Sequence, residues 1–462
     1  MRKKLIMTTM AAALLALNFS GCSNDEKIEG GKGEPGSGEK SMVAINLINA
    51  TSSTVSRAAG DETGLPTPEE SQLSNQVRVI VYGKDGAKEH DQVYTLDWEK
   101  NAQGIDEAST PNFTLMSGAK KFYVFLNEPD ASTGNTIDGT KPKDNSFETQ
   151  VFKDALTDSR PVIATDNKFF IGTLWGEETI IHGGATATDP QVVNLTIGRL
   201  AAKVRLNAVK EAAGGNLKGT FDGPKYTLGA VANEYNLVGQ YEGTIAPPKA
   251  GHGKVISSVH TEGATSSKFT NYNYDDATKW TPVPSTPEAP FYALENTTAV
   301  DNSKYQYYGN TTHVQLEVAY HPVAAEIYDL PTAPGVAPAL DPTGEQTITA
   351  NGGTFYTGEV NQITYIFAKD PTGNPALPDF KKYDAGKNYY RFPIRDMSEA
   401  GDVEKKNAVL RNHIYDLEVL EITKLGSNEI IDNKTQPIPE ESEVVLKVNV
   451  SQWSRIYHGV IL

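Results

Sequence analysis

Cysteine is almost absent: Cys22 is the single thiol in 462 residues. The folded part therefore forms no internal disulfide, and burial and backbone pairing must hold it together. Long apolar runs are lacking too. The one sustained run, Leu5–Phe19, is short for a bilayer-spanning helix. Positive charge is scarce: 42 Lys/Arg against 58 Asp/Glu leave a net charge of −16. That balance disfavours nucleic acid or anionic lipid as a general partner and suits a solvated, self-repelling surface.

Catalytic and ligand-binding signatures are missing as well. There is no Gly-x-Ser-x-Gly elbow, and nothing marks a nucleophile or an acid–base pair, so the chain does not read as an enzyme. Its carboxylates are too numerous for a glycosidase pair to stand out. The eight histidines are scattered; His252/His260 and His313/His321 share a spacing that fits no zinc pattern. Tyr274-Asp275-Asp276 lacks calcium-loop spacing. In Gly33–Ser41 an intervening Glu39 spoils the likeness to a phosphate loop. No metal and no cofactor are expected.

What is present is a leader. Met1-Arg-Lys-Lys, the apolar run and Ser20-Gly21-Cys22 make a lipoprotein signal peptide over residues 1–21, with Cys22 as the lipidation site (a palmitate-type anchor). Residues 23–40 are Gly-rich and charged and read as a tether. Asp25 and Glu26 resemble the surface-export signal of Bacteroidetes lipoproteins.

Plentiful Tyr (21), Gly (40) and Pro (26) favour strands and turns over helix bundles. Val43, Ile45 and Leu47 alternate, which predicts a strand. A small-polar stretch follows, with Arg57 as its only basic residue, and exposed loops of this kind are where proteases cut. Further strands are expected at 76–82, 121–126, 192–197, 199–206, 226–232, 290–295, 313–320, 363–368, 388–394 and 413–420. A short helix is expected near 148–155, and 280–290 and 330–343 should be irregular. A boundary is placed after Gly198. Thr435–Glu441 reads as a stiff acidic linker. Val444, Leu446, Val448 and Val450 then alternate up to Trp453. The chain thus carries a removable-looking apolar strand near its start and another at its end, and neither is stable alone.

These pieces, in this order, resemble the fimbrillin family of Bacteroidales, the FimA-type subunits of type V pili. The motifs that carry the resemblance are Cys22, Arg57-Ala58-Ala-Gly-Asp, Asn75-Gln-Val-Arg-Val-Ile-Val-Tyr82, Gly198-Arg-Leu-Ala-Ala-Lys-Val204, Ala289-Pro-Phe-Tyr-Ala-Leu-Glu-Asn296, Val409-Leu-Arg-Asn-His-Ile-Tyr-Asp-Leu417 and Val448-Asn-Val-Ser-Gln-Trp453. The resemblance implies an all-β fold of two tandem transthyretin-like β-sandwich domains with long loops, over 58–198 and 199–462. It implies that an arginine-specific protease cuts between Arg57 and Ala58 and removes 22–57, including the strand Val43, Ile45, Leu47. The vacated groove would accept the donor strand, about 443–462 (Val444, Leu446, Val448, Val450, Trp453), of an identical or related pilin, head to tail. The precursor would touch the outer membrane through its lipid only, and the mature form would sit in a surface fimbrium supporting cell adhesion, its ligand left open. The alternative is a surface glycan-binding lipoprotein. Trp280, Tyr272 and Tyr274 could stack on sugars, although aromatics at such junctions more often pack.

Overall fold

The computed structural model describes residues 38–49, 73–102, 106–128, 136–139, 148, 150–153, 169–210, 215–243, 254–272, 274–283, 290–298, 306–395, 407–438 and 444–452. Cys22, Arg57, Ala58 and Trp453 lie outside these residues. Among them the fold is all-β, with one short α-helix, Gly344–Ala350, and a few 3₁₀ turns.

The first sheet has ten strands. Its main members are β1 (Lys40–Asn49), β2 (Gln76–Gly83), β3 (Lys88–Thr95), β4 (Asp106–Ser109), β5 (Phe113–Met116), β6 (Gly118–Leu126) and β7 (Gln191–Arg199). Ile171–Thr173 joins β6 to β7, so the order runs β3-β2-β6, then this short strand, then β7-β1-β4. The sheet curls until its two halves share one core. Val77, Val79 and Val81 from β2 and Val124 and Leu126 from β6 pack with Val43, Ile45 and Leu47 from β1. The intervening Ile80 and Tyr82 face a second cluster that also takes in Ala201, Tyr235, Tyr292 and Leu294. Burial on both faces explains why QVRVIVY is nearly continuous in apolar residues.

Two further four-stranded sheets face each other. One runs β10 (Phe291–Leu294), β8 (Ala201–Val209), β13 (His413–Ile422), β14 (Val444–Gln452). The other runs Thr281–Pro282, β9 (Thr220–Gly229), β11 (His313–His321), β12 (Lys387–Pro393). Val204, Leu206, Leu316, Val318, Phe392, Tyr415 and Leu417 belong to the core between them. A smaller sheet (Ile327–Tyr328, Phe355–Val360, Ile363–Phe367, Phe380–Tyr383) is inserted between β11 and β12.

Several expectations need correction. Val151–Lys153 is a strand paired with Glu234–Asn236, not part of a helix; residues 154 and 155 lie outside the described set. The strand expected to start at Arg199 starts at Ala201, because Arg199 still belongs to β7 and pairs with Ile171. Thr281–Pro282 pairs with β9 at a sheet edge, where proline's missing N–H costs nothing.

Under β11 lies a buried polar contact with a pH signature. His313 Nδ1 donates to the Thr311 carbonyl at 2.9 Å, which leaves Nε2 to accept from the Tyr274 hydroxyl. Burial, with a smaller push from Arg391, pulls the imidazole down to about 3. The unfolded chain takes up this proton near pH 6.5 and the folded chain does not. Stability from the neutral ring is therefore complete above 6.5 and lost as pH falls from there towards 3. The loss by pH 4 should reach about 3 kcal/mol. Melting curves of the wild type and His313→Gln at pH 7 and 4 should converge on acidification. Parallel shifts in the two proteins would refute the assignment.

Candidate functional site

The seat of β1 is the most distinctive site in the molecule. β1 is an interior strand. On one side it pairs in parallel with β7, Val43 opposite Gln191 through Asn49 opposite Ile197. On the other it pairs antiparallel with β5 (Lys40 opposite Met116) and then β4 (Asn46 opposite Ser109). Where the partner changes from β5 to β4, Thr110 fills the gap: its hydroxyl accepts from Ile45 N–H at 3.0 Å, and its N–H donates to the Ile45 carbonyl at 2.9 Å. Beyond the strand's start, Ser117 N–H donates to the Glu39 carbonyl at 2.8 Å.

Alternation does the rest. Val43, Ile45 and Leu47 are each 0% exposed. Their burial stabilises the seat by about 5–9 kcal/mol before ordering costs. Asn46 points the other way: its amide donates to Glu107 at 2.5 Å and to Asn194 at 3.1 Å, and its carbonyl accepts from Ser109 at 3.2 Å. Phe113, opposite Val43, is backed by the His90 ring at a centroid distance of 4.2 Å. Burial holds that imidazole below its ordinary range.

The covalent link from β1 to the body runs through residues 50–75, and Arg57 is its only basic residue. A cut there leaves β1 held by non-covalent contacts alone. Loss of β1 would then expose backbone on β7 and on β4 and β5 together, over an apolar floor. That is an open slot able to take a strand.

The second strand singled out, β14, lies antiparallel on the outer edge of β13. Val444, Leu446, Val448 and Val450 stand opposite the buried Ile422, Val419, Leu417 and Tyr415. Among the described residues it has a sheet neighbour on one side only, whereas β1 has neighbours on both. The stiff linker expected before it needs revision. Gln436 and Ile438 are bonded into the body through Tyr308 N–H (3.1 Å) and the Gln306 carbonyl (2.9 Å).

Three motifs far apart in sequence meet at one junction. The Asn412 side chain covers Gly198 so closely that a Cβ there would lie 2.7 Å from it, and its carbonyl accepts from Arg199 N–H at 3.1 Å. Arg411 is paired with Glu295 (3.0 Å), and both are essentially unexposed. Asn296 and Val409 exchange backbone hydrogen bonds at 2.8 and 2.9 Å. Truncating either partner of such a buried pair strands a charge. These motifs are structural joints, and neither spacing nor composition revealed that they touch.

The sugar-stacking candidates do not form a platform. Tyr272, Tyr274 and Trp280 are 2%, 7% and 3% exposed and pack against other rings. Among the described residues no cluster of three or more His, Cys, Asp or Glu could hold a metal, and no helix is long and apolar enough to cross a membrane.

Comparison with known proteins bears on this geometry. Residues 41–197, which contain the seat of β1, match the family described as major fimbrial subunit protein (FimA). Residues 381–457, which contain β12, β13 and β14, match the one described as major fimbrial subunit protein type IV, fimbrillin, C-terminal. No curated protein matches the chain. Similar solved structures include a candidate cell adhesion protein of Parabacteroides distasonis (14% identity, 90% of this chain and 99% of that chain, TM-score 0.48). A fimbrilin (fimA) of Porphyromonas gingivalis matches at 16% identity over 90% of this chain and 98% of that one, with TM-score 0.45. The tip fimbrial protein Mfa3 of Porphyromonas gingivalis, C-terminally truncated, matches at 15% over 90% and 100%, with TM-score 0.37.

Proposed function

The chain belongs to the FimA-type fimbrillin family, the structural, non-enzymatic subunits of surface fimbriae, and from that premise we propose that it polymerises by protease-triggered strand exchange. Cys22 carries a lipid that delivers the precursor to the cell surface. Cleavage after Arg57 releases residues 22–57 with β1. The β14 arm of a second subunit then fills the slot between β7 and β4/β5. The mature subunit has two domains, and because β7 runs through Arg199 the boundary expected after Gly198 moves to the end of β7, giving 58–199 and 200–462. The interface joins different surfaces of the two copies, so it propagates head to tail as a filament.

The observation that carries this reading is the mismatch between the two seats. Among the described residues β14 pairs along one edge in its own molecule, while the β1 slot offers pairing on both. The nine residues of β14 fit a slot made for the ten of β1, with the same alternation of aliphatic residues. A strand that moves from the edge to the slot gains a second ladder, at about 0.5–1.5 kcal/mol per hydrogen bond.

The reading is tested by the first residue of subunits recovered from surface fibres, which should be Ala58, and by fatty-acid labelling, which should mark only the uncut precursor. Assembled subunits that still begin at Cys22 would refute it.

A further inference from the structure

The C-terminal arm does not swing from the end of β13. Asn433–Ile438 is laid against the body first. Gly309 N–H donates to the Lys434 carbonyl at 2.8 Å, Tyr308 N–H to the Gln436 carbonyl at 3.1 Å, and Ile438 N–H to the Gln306 carbonyl at 2.9 Å. Arg391 on β12 is the centre of this contact. Its guanidinium carbon sits 4.0 Å from the centroid of the Tyr308 ring. Nη1 donates to the Asn433 carbonyl at 3.0 Å and Nη2 to the Gln436 side-chain carbonyl at 2.5 Å. The Tyr308 hydroxyl donates back to the Arg391 carbonyl at 3.0 Å, so ring and guanidinium hold each other. A planar fork that stacks and donates at two points is a task for arginine that lysine cannot match. Pro437 and Pro439 restrict the backbone on either side of Ile438.

Resting on the strand-exchange reading, we infer that Arg391 and Tyr308 clamp the root of the arm and so set how tightly successive subunits are joined. With the clamp closed, five residues, 439–443, separate the clamped root from the donated strand, a length of chain that reaches at most about 17 Å. With the clamp open and the exposed Asn271–Asp432 side-chain contact (3.5 Å) released with it, the next backbone attachment upstream is Ser427, which exchanges backbone hydrogen bonds with Tyr389 at 2.8 and 2.9 Å. The tether is then 428–443, with a reach of about 53 Å. A short, proline-stiffened tether makes a rod, and a long one makes beads on a string. Arg391 is a positioning residue for assembly and takes no part in filling the slot.

The test compares the full-length wild type with Arg391→Met, which keeps apolar packing under Tyr308, and with Gln436→Ala, which alters an exposed side chain. Amide exchange at Tyr308, Gly309 and Ile438 is followed in monomers and in fibres, and persistence length is read from electron micrographs. These amides should stay protected in wild-type monomers and fibres alike. Arg391→Met should exchange them at least tenfold faster and form fibres whose persistence length is several-fold shorter, with Gln436→Ala in between. Free exchange at these amides in wild-type fibres, or variant fibres as stiff as wild type, would overturn the clamp. If Arg391→Met does not fold, Gln436→Ala decides alone, and unchanged exchange and stiffness there overturn it. Failure of the cleaved wild type to form any fibre would refute strand exchange itself, and the inference with it.

Discussion

Arg57→Ala should yield a folded, lipidated monomer that forms no fibres when treated with an arginine-specific protease. The reason is competition within one chain. While residues 50–75 are intact, β1 is offered to its slot intramolecularly, at an effective concentration that a neighbour's arm cannot match. Three fully buried aliphatic side chains add about 5–9 kcal/mol to its hold. Cleavage leaves those contacts in place but removes the tether, so that β1, once displaced, diffuses away. The substitution has no equivalent site to fall back on. No other Lys or Arg occurs between Lys40 and Arg78, and Arg78 is a β2 residue ion-paired with Asp91 at 2.9 Å. Assembly followed by sedimentation and electron microscopy should drop by more than a hundredfold, while the melting transition of the monomer stays unchanged. Normal fibres from the variant would exclude this mechanism.

How far this site could be read from the sequence depended on where each strand keeps its information. β1, β2, β6, β11 and β13 carry it in their own apolar pattern, and each was expected close to its observed span. β3 and β4 do not. Only Tyr94 is buried along KEHDQVYT, and only Ala108 along DEAS. These segments are strands because β2 and β1 offer them edges, and such context outweighs propensity. The same holds for Val151–Lys153, whose partner lies some eighty residues downstream. The hairpin at Asn361-Gln362 turns with φ of 55° and 65° without any glycine to announce it. At the seat itself the alternation of Val43, Ile45 and Leu47 was legible. Its parallel partner β7, nearly 150 residues on, was not, nor was Thr110 plugging the gap between β4 and β5. Convergence of Gly198, Glu295 and Arg411–Asn412 was hidden for the same reason: a motif shows in sequence, its contact does not.

The second large effect should come from the arm. In β14, Leu446 and Val448 stand opposite Val419 and Leu417, which are each 1% exposed. Replacing both with Asp (Leu446→Asp with Val448→Asp) brings two carboxylates to positions registered on the core, at a cost of several kcal/mol unless they are protonated or kept in water. The period of two allows no escape by slippage. A shift of one residue would bring Lys447 and Asn449 to the apolar side instead. The doubly substituted arm should leave β13, since it is held there on one edge, and should fail to enter a neighbour's slot. The first sheet shares no strand with β14 and should keep its own transition. After cleavage the variant should therefore be monomeric, with an empty slot that binds a wild-type Val444–Leu462 peptide in a fluorescence-polarisation titration. Lys447→Gln, opposite the half-exposed Glu418, serves as the matched control and should polymerise normally. Fibres from the Asp variant at the wild-type rate, or a cleaved protein that ignores the peptide, would show that the arm is not the strand that fills the slot.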